Sequence, residues 1–321
     1  MLLRWLLAAS FCAANAGAQE TVIRVDVNLV RVLATVKNAS GELVGSLEKE
    51  DFFIADNGVP QEIAVFERQT EQPLRIALLV DESASTAKDL RYMLDSVRLF
   101  LRTLLAEGNP NDTVALYSFN YEVRKHNHFT RNLATLERSL KNLKPVAGTS
   151  LYDAIFLASE ELSGRDGRKV ILVVTDGGDT TSTTDFHRAL EAAQLADAVI
   201  FSVLVTPITS DAGRNVGGEN ALITLGQRTG GRVFTPSLGP ALNAAFAEVL
   251  KELRTQYLLG FYPRNVPPGK DRFHQLTIRV RGEGLRVSAR NGYYGISETS
   301  AAPDKGRISI RPDGSRKQVL P

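Results

Sequence analysis

A carboxylate and two hydroxyls stand at alternate positions directly after an apolar run. The run 75–80 is followed by Asp81, Ser83 and Ser85. An almost uninterrupted apolar run of this kind is typical of a strand that is buried on both faces in a parallel sheet. Open α/β sheets bind ligands at the carboxyl ends of such strands. Carboxylate and hydroxyl oxygens are hard ligands, so this spacing predicts a site for Mg²⁺ or a similar cation.

Two further loops carry oxygen atoms of the same kind. The segment Gly148-Thr149-Ser150 precedes a predicted helix, and Asp176 follows a second apolar run at 170–174. Strands of one parallel sheet end at a common edge, so we expect these loops to converge with the first one. The three loops that could supply oxygen ligands to one cation are therefore those that contain Asp81, Thr149-Ser150 and Asp176.

Strands and amphipathic helices alternate from Leu74 onward. Apolar residues recur at helical spacing from Leu90 to Leu105, which predicts a helix that packs one face on a sheet. The same criteria predict helices at 133–143, 151–162, 186–196, 222–228 and 241–253, and strands at 113–119, 122–125, 170–174, 199–205 and 232–234. This alternation predicts an α/β fold with a doubly wound, mostly parallel sheet.

The two flanks of this unit are predicted to be β structure. Apolar residues alternate within 21–67, and their phase changes at Leu29-Val30, which predicts a bulge or kink there. Asn57-Gly58 predicts a hairpin between 52–54 and 63–65. Further strands are predicted at 257–262, 276–280 and 285–289. Because neither flank has many strands, we expect one small β-sandwich into which the α/β domain is inserted. Two independent β pieces are the alternative.

The start of the chain has the layout of a secretory signal peptide. Arg4 supplies a positive charge, an apolar stretch from Trp5 to Ala14 follows, and small residues end at Ala18. Cleavage after Ala18 removes Cys12, so disulfides and thiolate metal sites are not expected. We therefore expect a secreted or periplasmic protein, and no later run is long and apolar enough for a membrane span.

Charge gives no indication of a nucleic-acid partner. The formal net charge is +2, from 38 basic and 36 acidic residues. Basic residues gather only in a tail rich in Pro, Gly and Ser, where a solvated disordered segment is favoured over nucleic-acid or lipid binding. The predicted organisation is a signal peptide at 1–18, a β segment at 19–72, an α/β domain at 73–256, a second β segment at 257–296 and a disordered tail at 297–321.

The order of these motifs resembles a known family. Asp81-x-Ser83-x-Ser85, a Gly-Thr149 loop and Asp176 after an apolar strand are similar to the metal-ion-dependent adhesion site of von Willebrand factor type A domains. The resemblance covers about residues 74 to 255. The flanks, which include 51–58 and Asn291-Gly-Tyr-Tyr294, resemble those of a secreted bacterial subgroup described only as related to this family.

The resemblance implies a binding mechanism. Mg²⁺ or Mn²⁺ would be held by the hydroxyls of Ser83 and Ser85, by Thr149 directly or through water, and by Asp81 and Asp176 directly or through water. Neutral hydroxyl ligands leave much of the charge of the ion uncompensated. An open position would then attract an Asp or Glu carboxylate from a protein partner.

Two acids near these motifs need separate interpretations. Glu82 occupies a spacer position where relatives often have Thr, and Ala84 one where they often have Gly. We expect the Glu82 side chain to face solvent. Asp179 is expected to be an exposed turn acid rather than a group that orients a metal-bound water. As an alternative to the metal site, the hydroxyl residues of these loops are ordinary helix caps.

Enzymatic interpretations are less well supported. A haloacid-dehalogenase-like phosphatase needs a second acid where Ser83 stands, since a serine cannot act as the general acid. His126 and His128 form a possible metal pair on an edge strand, but no third ligand is evident. Three hypotheses remain: a metal-dependent protein-binding module, a metal-dependent phosphatase or phosphotransferase, and a scaffold with a vestigial metal loop. We favour the first, a protein that is not an enzyme.

Overall fold

The computed structural model describes residues 29–68, 72–205, 215–237, 239–267 and 272–295. The predicted signal peptide, the kink on the Leu29 side of the first strand and the basic tail lie wholly or mainly outside these ranges. The strands within these ranges are β1 (Val30–Lys37), β2 (Phe52–Asp56), β3 (Val59–Gln61), β4 (Ile63–Arg68), β5 (Leu74–Asp81), β6 (Thr113–Phe119), β7 (Val123–Lys125), β8 (Arg168–Thr175), β9 (Ala198–Leu204), β10 (Val233–Phe234), β11 (Tyr257–Phe261), β12 (Phe273–Val280), β13 (Arg286–Ala289) and β14 (Gly292–Tyr294). The α-helices are α1 (Leu90–Glu107), α2 (Leu133–Lys141), α3 (Leu151–Ser163), α4 (Phe186–Leu195), α5 (Val216–Thr229) and α6 (Pro240–Thr255).

A six-stranded sheet forms the centre of the α/β unit. Its strand order is β10-β9-β8-β5-β6-β7, and β7 is the one strand that pairs antiparallel with its neighbour. Side chains of β5, β8 and β9 are buried on both faces, which explains their nearly continuous apolar sequences. The predicted doubly wound, mostly parallel fold is confirmed.

Helices cover both faces of this sheet. Alternate residues of β5 enter two different cores, with Ile76 and Leu78 on one face and Ala77 and Leu79 on the other. The first core includes apolar residues of α1, α2 and α6, and the second includes those of α3, α4 and α5. The helical periodicity of the sequence arises because each helix buries one stripe against the sheet.

Two four-stranded antiparallel sheets flank the α/β unit, in the orders β13-β1-β11-β4 and β14-β12-β2-β3. Each sheet combines strands that precede the α/β unit with strands that follow it. Val32, Ile54, Tyr257 and Leu276 from the two sheets belong to one buried cluster. The flanks therefore form one β-sandwich, and the alternative of two independent β pieces is wrong. Arg68 at the end of β4 pairs with Tyr257 at the start of β11, so the inserted unit leaves and re-enters the sandwich at adjacent positions.

The predicted hairpin requires a correction. Asn57 and Gly58 form its turn with positive φ angles of 46° and 82°, as the sequence predicts. The second strand of the hairpin, however, is β3 at 59–61, not 63–65. Residues 63–68 form β4, which pairs with β11 in the other sheet. The chain changes sheet between β3 and β4 because the corner of a sandwich requires such a switch.

Candidate metal-binding site

The strand order of the central sheet reverses at β5 and β8. The chain passes from β5 to β6 on one side and later returns to β8 on the other side. Asp81 is the last residue of β5, and Asp176 directly follows β8. Ligands of open α/β sheets bind outside the carboxyl ends of strands at such a switch point.

Four of the five predicted ligands are joined by hydrogen bonds. The buried Asp81 carboxylate accepts from the Ser83 amide at 2.8 Å and from the Thr175 hydroxyl at 2.5 Å. The hydroxyls of Ser83 and Ser85 lie 2.9 Å apart, and Ser85 donates to Oδ1 of Asp176 at 3.1 Å. The loops after β5 and β8 therefore meet around one group of oxygen atoms.

Thr149 reaches this region through its backbone. Its amide donates to the hydroxyls of Thr180 and Thr181 at 3.0 and 3.1 Å, and its carbonyl accepts from the Thr180 amide at 2.8 Å. This places the Thr149 loop against the segment that follows Asp176. Within the described ranges, no hydrogen bond joins the Thr149 side chain to the other four residues. Its role as a ligand stays a prediction.

A glycine fixes the path of the Thr149 loop. Gly148 has a φ of +90°, and a Cβ there would lie 2.8 Å from Cβ of Tyr121 and 2.9 Å from its backbone nitrogen. A larger residue would meet both an unfavourable backbone conformation and a steric clash. Gly148 therefore allows the loop to pass close to the segment after β6.

The expectation for Glu82 is wrong, because its side chain is buried. Asn120 donates from its side-chain amide to Oε1 of Glu82 at 3.0 Å, and the Lys144 amide donates to Oε2 at 3.2 Å. The Glu82 carbonyl also accepts from the Val146 amide at 2.9 Å. Because these donors satisfy the carboxylate, Glu82 points inward and connects the loop after β5 to the segment that leads to Thr149.

The expectation for Asp179 also needs correction. Asp179 is half-buried, and it accepts from the Tyr152 amide at 3.2 Å and from the Ser182 amide at 3.3 Å. Asp179 thus satisfies an amide in the first turn of α3, next to the partial positive charge of a helix start. It is a structural acceptor rather than an exposed turn acid.

The capping alternative does not account for the site hydroxyls. Ser83 precedes a short 3₁₀ helix at Ala84–Lys88, and Ser150 precedes α3, but neither side chain caps its helix. Ser85 lies inside the 3₁₀ helix and donates to Asp176. The hydroxyls of Ser83 and Ser85 are therefore directed to the carboxylate cluster rather than to helix ends.

The electrostatics of the cluster fit a divalent cation. Burial raises the pKa of Asp81 to about 6, although hydrogen bonds from Thr175 and Ser83 oppose this effect. Burial also raises the pKa of Asp176, and the bond from Ser85 opposes it. No lysine or arginine among the described residues forms an ion pair with either carboxylate. A bound cation would compensate the desolvated charge of both acids.

Other metal-ligating groups are not assembled. His126 bonds to the Ser118 hydroxyl at 2.8 Å, whereas His128 faces the Lys125 amine at 3.1 Å, so the two histidines do not form a pair. In the part of the chain that the structure describes, no three His, Cys, Asp or Glu side chains are grouped to hold a metal. A cation at the carboxyl edge would therefore depend on hydroxyl oxygens in addition to two acids.

Several residues of the site were not anticipated from the sequence. Thr175 bonds to Asp81, Thr180 and Thr181 hold the Thr149 loop, and Asn120 bonds to Glu82. The signal for Thr175 was present, since it is the first polar residue after the apolar run of β8. The other residues have ordinary loop sequences and acquire their roles only through tertiary contacts.

The fold and this cluster define a class of protein. A doubly wound α/β unit carries an acid and two serines after one central strand and a second acid after the neighbouring strand. Residues 76–179 match the family model of the von Willebrand factor type A domain. This part of the α/β unit thus matches the von Willebrand factor type A domain, the family that the sequence motifs resemble.

Comparison with solved structures finds similar folds in several proteins. The vWF domain of the type V pili tip protein Mfa5 from Porphyromonas gingivalis is 16% identical with a TM-score of 0.46, and the alignment covers 56% of this chain and 95% of that one. An aerotolerance-related membrane protein from Bacteroides fragilis is 18% identical with a TM-score of 0.45, over 56% of this chain and 98% of that one. Proximal thread matrix protein 1 from the mussel byssus is 16% identical with a TM-score of 0.48, over 62% and 49% of the two chains.

No curated protein matches the sequence. Within the described ranges, none of the helices has the length and apolar character needed to span a bilayer.

Proposed function

We propose that this chain is a secreted or periplasmic protein-binding module that uses a metal ion to capture a carboxylate of its partner. The ion would be Mg²⁺ or Mn²⁺, held by Ser83, Ser85 and Thr149 together with Asp81 and Asp176. The partner would present an Asp or Glu side chain. The proposed activity is binding and not catalysis.

The observation that carries this proposal is the oxygen cluster between the loops after β5 and β8. Ser85 lies within hydrogen-bond distance of both Ser83 and Asp176, and neither serine hydroxyl is used to cap a helix. Hydroxyl and carboxylate oxygens are the ligands that Mg²⁺ prefers. Two partly or fully buried acids without a described cationic partner favour a cation at this position.

The residues would have distinct roles. Thr175 and the Ser83 amide fix the orientation of the Asp81 carboxylate, and Glu82 holds the segment that precedes Thr149. A bound divalent ion would supply an electrophilic position whose charge the neutral hydroxyls leave uncompensated. A carboxylate on a protein partner has the charge and the oxygen chemistry to fill that position.

Affinity capture from the native cell envelope tests this function. The purified chain is used as bait with MgCl₂ or with EDTA, and bound proteins are crosslinked and identified. We expect partner capture with MgCl₂ that is lost with EDTA and lost in Asp81→Ala. Asp166→Ala is the matched control, because Asp166 is an exposed acid in the loop before β8, at the other end of the sheet.

The remaining hypotheses predict different results. A scaffold with a vestigial metal loop would capture its partner equally well with and without EDTA. A phosphatase or phosphotransferase would turn over a generic phosphate ester in a metal-dependent manner. Either result would replace the proposed binding function.

A further inference from the structure

A cavity lies at the opposite end of the central sheet from the candidate metal site. It is lined by residues at the starts of β8 and β9, by residues of β1 and β11, and by Arg290, which directly follows β13. The α/β unit and the sandwich thus both contribute to its wall. A ligand in this cavity would contact both parts of the molecule.

Positive charge is in excess around this cavity. Arg31, Lys169 and Arg290 line it together with Arg168, and Asp197 is the one acid among the described residues of its lining. Asp197 is already engaged, because Arg290 donates to it at 2.6 Å. The exposed Arg31 side chain makes no ion pair or hydrogen bond within the described ranges. Among the described residues, the Lys169 amine donates to one group, the Ser163 carbonyl, at 3.2 Å.

Two further observations concern the cations of this cavity. Arg290 is 8% exposed, and its Nε has no hydrogen-bond acceptor in the described part of the chain. A buried cation with an unsatisfied donor is costly, and the negative charge of an oxyanion bound nearby would lower that cost. Burial lowers the pKa of Lys169, and the nearby charge of Arg31 lowers it further, against the opposing effect of Asp197.

The cavity also has an apolar side. Leu33, Val199 and Leu258 form part of its lining. Small-molecule sites typically combine apolar walls with a few polar groups that orient the ligand. A simple inorganic ion would contact only the charged side.

We propose that this cavity binds a small organic oxyanion, a carboxylate or phosphate group with an apolar substituent, between Arg31 and Lys169. Arg290 and its ion pair with Asp197 form the adjacent wall. The cavity is small, about 40 Å³, and open on one side, so the oxyanion would lie inside it between the two cations and the apolar substituent would lie at its mouth beside Leu33. This proposal is independent of the proposed metal-dependent function, because the two sites lie at opposite ends of the sheet.

Isothermal titration calorimetry with phenyl phosphate and benzoate tests the proposal. The titrations are made on the full chain in EDTA at constant ionic strength, and benzamide serves as the uncharged analogue. We expect one or both anions to bind and benzamide not to bind. In Arg31→Ala/Lys169→Ala the Kd should rise by about tenfold or more, since two attractive charges are lost.

A charge-matched variant controls for general electrostatics. Arg138→Ala/Arg279→Ala removes two exposed cations from α2 and β12 and should leave the Kd within about twofold of the original value, because distant exposed charges are screened. Ser83→Ala should also bind the anions normally, which separates this site from the metal site. The proposal is overturned if neither anion binds, or if the two double variants weaken binding equally.

Discussion

Ser85 and Asp176 lie 91 positions apart in the sequence, and the hydroxyl of Ser85 donates to the carboxylate of Asp176 at 3.1 Å. The contact depends on the register between neighbouring parallel strands, in which Val80 of β5 pairs with Val174 of β8. This register brings the ends of both strands to the same level. The candidate site is therefore positioned by the core of the sheet, while its chemistry comes from the loops.

Removing either serine hydroxyl should weaken binding of Mg²⁺. The original chain is expected to bind Mg²⁺ with a Kd on the order of 10⁻⁴–10⁻³ M, by analogy with extracellular calcium modules of few acidic ligands. Ser83→Ala and Ser85→Ala should each raise the Kd by about tenfold, as measured by calorimetry. Ser288 is an exposed serine on β13, and Ser288→Ala should leave the Kd for Mg²⁺ unchanged. If both variants bind Mg²⁺ with the original Kd, neither serine is a ligand of the ion.

The metal-free protein should become more stable as the pH falls through 6. Asp81 has a folded-state pKa of about 6, above its ordinary value of 3.8, so the folded state binds a proton more tightly than the unfolded state. Its contribution to stability is present in full below about pH 4 and is lost as the pH rises to 6 and above. Between pH 7 and pH 5 this group should add about 1 kcal/mol to the free energy of unfolding.

Urea unfolding in EDTA checks this dependence. The free energy of unfolding is measured for the original chain and for Asp81→Asn across this pH range. The difference between the two proteins should contain the contribution of Asp81, because most other groups titrate alike in both. Saturating MgCl₂ should stabilise the original chain more at pH 7 than at pH 5, since a metal binds the ionised carboxylate. A pH profile that is the same for both proteins would show that Asp81 is not held in this environment.

The sequence predicted those parts of the structure whose burial is uniform. The strands β5, β8 and β9 are buried on both faces, so their apolar runs were sufficient to identify them and the loops that follow. The order of strands and helices then implied that the ends of β5 and β8 meet. The sequence alone therefore predicts that Asp81, Ser83, Ser85 and Asp176 are neighbours.

The errors concern residues whose environment is set by distant segments. Glu82 is buried because Asn120 and Lys144, 38 and 62 positions away, donate to its carboxylate. Residues 63–65 are not the second strand of the predicted hairpin, because they belong to β4, which pairs with β11 close to 200 residues further along the chain. Local periodicity contains no information on such partners, so neither feature was accessible from the pattern of the sequence.

Glu82 should contribute to stability through its two buried hydrogen bonds. Glu82→Ala leaves the Asn120 side chain and the Lys144 amide without their acceptors, and it should lower the free energy of unfolding by about 2–4 kcal/mol. Glu82→Gln keeps one side-chain acceptor and should lower the free energy of unfolding by less than Glu82→Ala does. Urea unfolding measures both values, with the exposed Glu283→Ala as the control. If Glu82→Ala leaves the free energy of unfolding unchanged, the Glu82 side chain lies in solvent, as the sequence predicted.

Gln256 should couple the sandwich to the α/β unit. Its side-chain carbonyl accepts from Arg168 of β8 at 2.6 Å, and its amide donates to Thr35 of β1 at 3.2 Å, with all three residues buried. Gln256→Ala should lower the free energy of unfolding by about 2 kcal/mol or more, because buried polar groups lose their partners. The exposed Gln275→Ala should have little effect.

A double-mutant cycle with Thr35→Val distinguishes coupling from simple packing loss. Because Thr35 and Gln256 share one hydrogen bond, the two changes should be non-additive by about 0.5–3 kcal/mol in urea unfolding followed by circular dichroism. The same traces should show one transition for the original chain, since the hydrogen bonds of Gln256 join a strand of the sandwich to a strand of the central sheet. If the losses in free energy of unfolding are additive and two separate transitions are seen, the two parts unfold independently. The hydrogen bonds of Gln256 would then not couple the sandwich to the α/β unit.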